Sequence, residues 1–265
     1  MMRTRTRTRS IPHAVSRGFA VLSMVAAAWL LPQAQAAAGL HSRPAGAPPE
    51  SVQVAAGKAL ANAKRADLRG EQASADVRHI ADWAVDSDDH AGLPFVIVDK
   101  VDSRVFVFDA QGRLRGASAA LVGAARGDDS VPGIGERKIS SILPEERTTP
   151  AGRYTAMMGR GPKGEDILWV DYENALALHR VVTHVPEERR LQRLQSKVPS
   201  ERRITYGCIN VPVSFYEAVV RPTFSDTRGI VYILPESKRP EDLFGSYDVR
   251  QQVTHSGVLR SPSAH

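Results

Sequence analysis

From Pro94 onward the apolar residues of this 265-residue chain come in short β-branched and aromatic runs, each broken by turn residues. PFVIVDK has the unbroken apolarity of a strand buried on both faces. SRVFVFD sets Val105 and Val107 against Phe106 and Phe108. The tetrad Asp109-Ala110-Gln111-Gly112 then turns the chain into RLRGASAALVG. Strand, short break, strand, turn and strand leaves no room for the helical crossovers of a parallel sheet, so the pattern predicts a mainly β, antiparallel domain. TPAGRYTAMM, ILWVDY, ALALHRVV and GIVYILPE add further strands, while residues 124–149, full of Gly, Asp, Pro and charge, read as a long loop. Two helices interrupt the strands. EERRLQRLQSK is polar, with Leu191 and Leu194 as its apolar stripe, and VPVSFYEAVV is entered at Pro212.

The N-terminal part has a different texture. Residues 1–36 hold five Arg and no Asp, Glu or Lys, so the +6 of the whole chain leaves only +1 for the rest. A nearly neutral body offers no general field for phosphates, which argues against nucleic acid as a partner. The same 36 residues have the order of an export signal: an Arg-rich start, an apolar run from Phe19 to Leu31, then Ala34 and Ala36 as an A-x-A cleavage site. The apolar run would rise only about 20 Å as a helix, short of a hydrocarbon core of about 30 Å. Cleavage after Ala36 is therefore expected, with retention as an uncleaved anchor as the alternative. The mature chain is expected in the periplasm or cell envelope with no membrane span. Residues 37–91 are expected as a linker and helical segment: an Ala/Gly/Pro tether, an Ala-rich helix over 51–69, and a second helix over 75–85. The second carries Val77, Ile80, Ala81 and Ala84 as its stripe. Both helices are expected across the entrance or side of a domain at 92–236. Residues 237–265 read as a flexible tail.

Cys208 is the only cysteine, so no disulfide can form within the chain. It is a buried inert thiol, a link between chains, or a reactive nucleophile. Its surroundings favour the last. ITYGCINVP places the sulfur at a strand-to-helix corner, where unpaired backbone N–H groups can favour a thiolate and a developing oxyanion. A thiol of ordinary pKa, about 8.5, needs a base to attack a carbonyl at neutral pH. His90, His179 and His184 are the candidates, and His179 stands out because it ends the apolar run ALALH.

With these residues in place the sequence resembles the L,D-transpeptidase catalytic domain, the YkuD-like family of peptidoglycan enzymes. That family carries an upstream His, then Ser/Thr-His-Gly-Cys, one residue, and Asn or Arg. Here Thr205, Gly207, Cys208 and Asn210 match in place, and His179 matches the upstream His. PFVIVDKVDSRVFVF, TPAGRY and VYILPE match the family's strands in order, over residues 92–236. The chain departs from the pattern twice: Tyr206 stands where the family has His, and EERRLQRLQSK lengthens the gap between His179 and Thr205.

The resemblance implies a YkuD-like β-sandwich with a few peripheral helices, acting on peptidoglycan stem peptides. It implies Cys208 as nucleophile and His179 as base, the imidazole oriented by a main-chain carbonyl near Arg180. Backbone N–H groups of Tyr206, Gly207 and Cys208 would hold the oxyanion, with Thr205, Asn210 and the Tyr206 hydroxyl in support. An amine on peptidoglycan or on an envelope protein, or water, would resolve the thioester. Arg202 and Arg203 are either a solvated pair or readers of the stem's carboxylates. Trp169 and Tyr172 either line the pocket or fill the core. No cofactor is implied, and no metal-ligand spacing occurs in the core. Two rival readings differ in class. A cysteine endopeptidase whose Cys precedes its His fails on order, since only His255 and His265 follow Cys208. A peptidoglycan-binding or scaffolding protein with a degenerate site is kept open by Tyr206.

Overall fold

The computed structural model describes residues 63–251. The expected export signal, the tether and most of the Ala-rich stretch lie outside the described residues. Where that stretch enters the structure, at residues 63–69, it is not helical. Asp67 pairs with the hairpin instead: its N–H donates to Gly112 O at 2.9 Å, and its carbonyl accepts from Leu114 N at 2.8 Å. Backbone groups satisfied by a neighbouring strand have no need of a helix, whatever the Ala content. Helix α1, Ala75–Asp86, forms where its stripe predicts, with Ser74 as N-cap accepting from Val77 N–H at 3.2 Å. Val77, Ile80, Ala81 and Ala84 are all buried.

Ten strands follow: β1 Phe95–Asp99, β2 Arg104–Phe108, β3 Leu114–Ala119, β4 Val122–Gly123, β5 Gly152–Arg160, β6 Asp166–Asp171, β7 Leu176–Arg180, β8 Arg203–Thr205, β9 Ile209–Val211 and β10 Gly229–Ile233. Eight form one sheet in the order β3-β2-β1-β10-β5-β6-β7-β9, and β4 pairs with β8. The ladders are antiparallel except β1 with β10, β7 with β9, and β4 with β8. The uniformly antiparallel expectation fails at these pairs because the chain returns to them through long crossovers. The sheet's two edges nearly meet. Leu121, just past β3, donates to Asn210 O at 2.8 Å and accepts from Asn210 N at 2.9 Å.

The fold is therefore mainly β, a large, nearly closed sheet around its own core. Val96, Val98, Val105, Val107, Val231 and Ile233 point inward, where Leu168, Leu178 and Ile209 meet them from the far strands. A helical segment, α3, plugs this core with Tyr216, Val220 and Phe224. It starts at Val213–Phe215, passes through a π-helical turn at Tyr216–Val220 and ends at Arg221–Phe224. The alternate residues Phe95, Ile97, Phe106, Phe108 and Tyr232 face outward and are covered by α1. Two covered faces explain why PFVIVDK shows no polar alternation. The outer core also takes Phe244, Tyr247 and Val249, and residues Pro240–Phe244 form helix α4. The part of the expected tail that is described, up to residue 251, is thus packed.

Two further features bear on the site. The polar segment before β8 contains the short helix α2, Arg190–Gln195. Leu194 packs against Leu121 and Val181, but Leu191 is exposed, so the apolar stripe is a single residue. At the end of β1, Lys100 and Asp128 form an ion pair at 2.8 Å with both side chains fully buried. Asp128 also accepts from the N–H groups of Glu236, Ser237 and Lys238 and from the Ser237 hydroxyl. Burial alone would raise its carboxyl. The Lys100 ammonium and these donors outweigh burial and hold it below the usual carboxylate range.

Candidate active site

Cys208 sits in the tight connection between β8 and β9, not at a helix start; the helical segment begins five residues later. The turn is held by side chains. Thr205 Oγ1 donates to Cys208 O at 2.7 Å and accepts from Gly207 N–H at 3.2 Å. Gly207 takes φ of 137°, and a Cβ there would come within 2.8 Å of Thr148 O, so only glycine fits. Thr149 Oγ1 donates to Gly207 O at 2.7 Å, which clamps the turn to the end of the 124–149 loop. With its N–H spent on Thr205, Gly207 drops out of the expected oxyanion donors. Tyr206 does not stand in for an imidazole: its ring lies beneath the Arg147 guanidinium, 4.2 Å from the centroid.

Strands β7 and β9 run parallel with Leu178 beside Ile209 and His179 beside Asn210. Leu178 and Ile209 enter the core, so Ala177, His179, Cys208 and Asn210 share the outward face. Cys208 is level with Ala177, one diagonal step from His179. The half-buried thiol donates to Ala175 O at 3.5 Å. Burial pushes its pKa up, against the Ala177 N–H, the Arg190 charge and its own N–H, which favour the thiolate.

His179 Nδ1 lies 2.8 Å from Arg180 O. A carbonyl can only accept, so the proton is on Nδ1 and Nε2 carries the lone pair. Nε2 lies 3.1 Å from Asn210 Nδ2, which donates to it. Burial is the main cause that lowers the His179 pKa, with Arg190 and Arg180 adding to it and Glu165 opposing. The ring is therefore neutral at pH 7, and so is the thiol.

The remaining sequence candidates separate clearly. Asn210 is buried and central. Trp169, in register with Ala177, lies on the same face, its Nε1–H on Arg160 O at 3.3 Å and its ring edge-on to exposed Tyr172. Arg202 is not at the site; it is buried and donates to Ser196 O and Asp102 O. Arg203 is bound bidentately to Glu236 at 2.9 and 3.1 Å. Their guanidiniums satisfy internal acceptors, so neither reads a substrate carboxylate. His90 is buried on the outer side between Ala84 O and Ala110 O. His184 is exposed and shares a groove with His179, Lys163 and Glu165. Sequence reasoning missed Arg190, whose Nη1 donates to Asn210 Oδ1 at 2.8 Å. Its only signal was its place in the lengthened gap. Among the described residues no cluster of His, Cys, Asp and Glu could hold a metal ion.

No family model matches the chain, and no curated protein does. Solved structures similar to it include the catalytic domain of an L,D-transpeptidase from E. faecium, at 14% identity and TM-score 0.29, covering 53% of this chain and 96% of that one. An L,D-transpeptidase from Stackebrandtia nassauensis has 12% identity and TM-score 0.30, with 71% and 68% covered. Another, from Xylanimonas cellulosilytica, has 13% identity and TM-score 0.34, with 71% and 94% covered. In the order of its motifs the chain resembles L,D-transpeptidase catalytic domains, and these three solved structures, to which its fold is similar, are L,D-transpeptidases or the catalytic domain of one.

Proposed function

We propose that the chain is a cysteine acyltransferase of the L,D-transpeptidase type, acting on peptidoglycan stem peptides after export to the cell envelope. The observation that supports this most is the shared outward face of Cys208 and His179, on adjacent strands, with the sulfur raised on a turn that only glycine permits. In this reading Nε2 of His179 leaves Asn210 and takes the thiol proton. The sulfur attacks the carbonyl carbon of an L,D-peptide bond, and the carbonyl π electrons move to oxygen, which the Cys208 N–H stabilises. Collapse breaks the C–N bond, and His179 returns its proton to the departing D-amino acid's nitrogen. An amine or water then attacks the thioester carbon as His179 takes its proton, the C–S bond breaks, and His179 returns the proton to the Cys208 sulfur. The export signal belongs to this proposal. Among the described residues no helix is long and apolar enough to cross a membrane.

One observation favours a second reading, a peptidoglycan-binding protein without chemistry: the Nε2 lone pair is paired with Asn210 rather than with sulfur. Intact-mass spectrometry after incubation with a carbapenem separates the two. The expected result is a single adduct, absent from the Cys208→Ala variant. No adduct on the parent chain, together with unchanged muropeptides after incubation with sacculi, would leave only the binder.

A further inference from the structure

Asn210 is buried, and both ends of its amide are committed, the nitrogen to His179 Nε2 and the oxygen to Arg190 Nη1. Arg190 is itself fixed. Its Nε donates to the Glu188 carboxylate at 2.5 Å. The segment around it is pinned by Arg193, which donates to Glu188 O at 2.8 Å and Glu201 O at 2.7 Å, and by Leu194 against Leu121 and Val181. The polar segment between β7 and β8 thus delivers a guanidinium to the back of the thiol–imidazole face.

We propose that Arg190 is a positioning residue for the Cys208–His179 pair, holding the Asn210 amide so that its nitrogen faces Nε2 of His179 and placing a fixed positive charge beside both groups. This rests on the acyltransfer reading and adds to it the group that tunes its two protons. An Asn amide can present oxygen or nitrogen to a neighbour. With Oδ1 taken by a guanidinium, which can only donate, Nδ2 must face His179, so Nε2 has to accept. If the amide turned over, Nε2 would face an oxygen while Nδ1 still faced Arg180 O. Two acceptors on one ring favour the imidazolium, which cannot serve as a base. The charge itself acts on both partners in one direction, lowering the pKa of thiol and imidazole alike. The other charged groups acting on His179 are Glu165, which opposes this, and Arg180, which adds to it; Arg180 is tied to Asp166 and Glu217.

The test reads ionisation and not turnover. In Arg190→Gln the alkylation of Cys208 by iodoacetamide at pH 7.5 is expected to slow about tenfold, its pH profile moving to higher pH. The His179 titration, followed by NMR of the ring Cε1–H, is expected to move upward as well. Arg190→Lys, which keeps the charge without the fork, is expected to recover most of the alkylation rate. If both profiles of Arg190→Gln coincide with those of the parent, or if Arg190→Lys is as slow as Arg190→Gln, the proposal is overturned. A chain that shows both shifts but never takes up a carbapenem would remove the acyltransfer reading and leave the role of Arg190 standing.

Discussion

The variant His179→Ala is expected to acylate Cys208 with a carbapenem about a hundredfold to ten-thousandfold more slowly than the parent, while His184→Ala keeps most of the rate. The size follows from what a positioned base contributes to proton transfer. Burial holds the His179 ring neutral at pH 7 and pushes the Cys208 thiol up, so no thiolate is ready in advance. Attack then depends on a base that can take the proton as the bond forms, and His179 is the neutral imidazole one diagonal step away on the same face. His184 lines the same groove as His179 but is exposed and five residues further along the chain. Second-order acylation rates by stopped flow, with intact mass to count adducts, distinguish the two. A His184→Ala variant that loses activity while His179→Ala keeps it would reassign the base to the lengthened gap.

The largest effect on stability is expected at Lys100→Met, about 3–5 kcal/mol at neutral pH, because the substitution strands a fully buried carboxylate without its cation. Lys100 and Asp128 are both fully buried, and Asp128 has no other cation in its hydrogen-bond shell. The sign with pH follows from its depressed pKa. In the parent, Asp128 contributes stability that is fully present above the ordinary carboxylate pKa of about 3.9, and lost as pH falls towards its folded value. In Lys100→Met the carboxyl can protonate more readily, so the gap between variant and parent is expected to narrow between pH 7 and pH 4. Urea melts at the two pH values measure it. A gap that widens on acidification would mean that Asp128 is not the group left unpaired. The damage should also reach the site, since Asp128 O accepts from Ala151 N–H and the same loop ends in the Thr148–Thr149 clamp on Gly207.

The strands and the neighbourhood of Cys208 were legible because both are local. Val105 and Val107 alternate with Phe106 and Phe108 whether or not the sheet closes, and Thr205, Gly207, Cys208 and Asn210 meet within a single turn. What could not be read was which charges are inside. Arg202 and Arg203 look like neighbours of the motif ready for a substrate, yet their partners are Asp102, Ser196, Ala125 and Glu236, brought in from three other parts of the chain. Arg190 looked like one of several arginines on a solvated helix. The packing of Leu194 onto Leu121 and Val181 and the hydrogen bonds of Arg193 hold it against Asn210. The Ala-rich stretch misled for a related reason: Asp67 spends its backbone on the hairpin while Lys64 and Ala66 donate to the carboxylates of Asp86 and Asp82, a choice that propensity does not encode.

The central ladder pairs Phe95 with Ile230, so the middle of the sheet is assembled from the two extremes of the domain's sequence. Loop closure over such a span costs entropy before any contact repays it, which slows folding relative to a domain of hairpins alone. A chain emerging from a ribosome therefore holds β1 as an unsatisfied edge until nearly the whole domain is available. Chaperone dependence and aggregation during synthesis should track the time taken to deliver residues 229–233 rather than the stability of the finished protein.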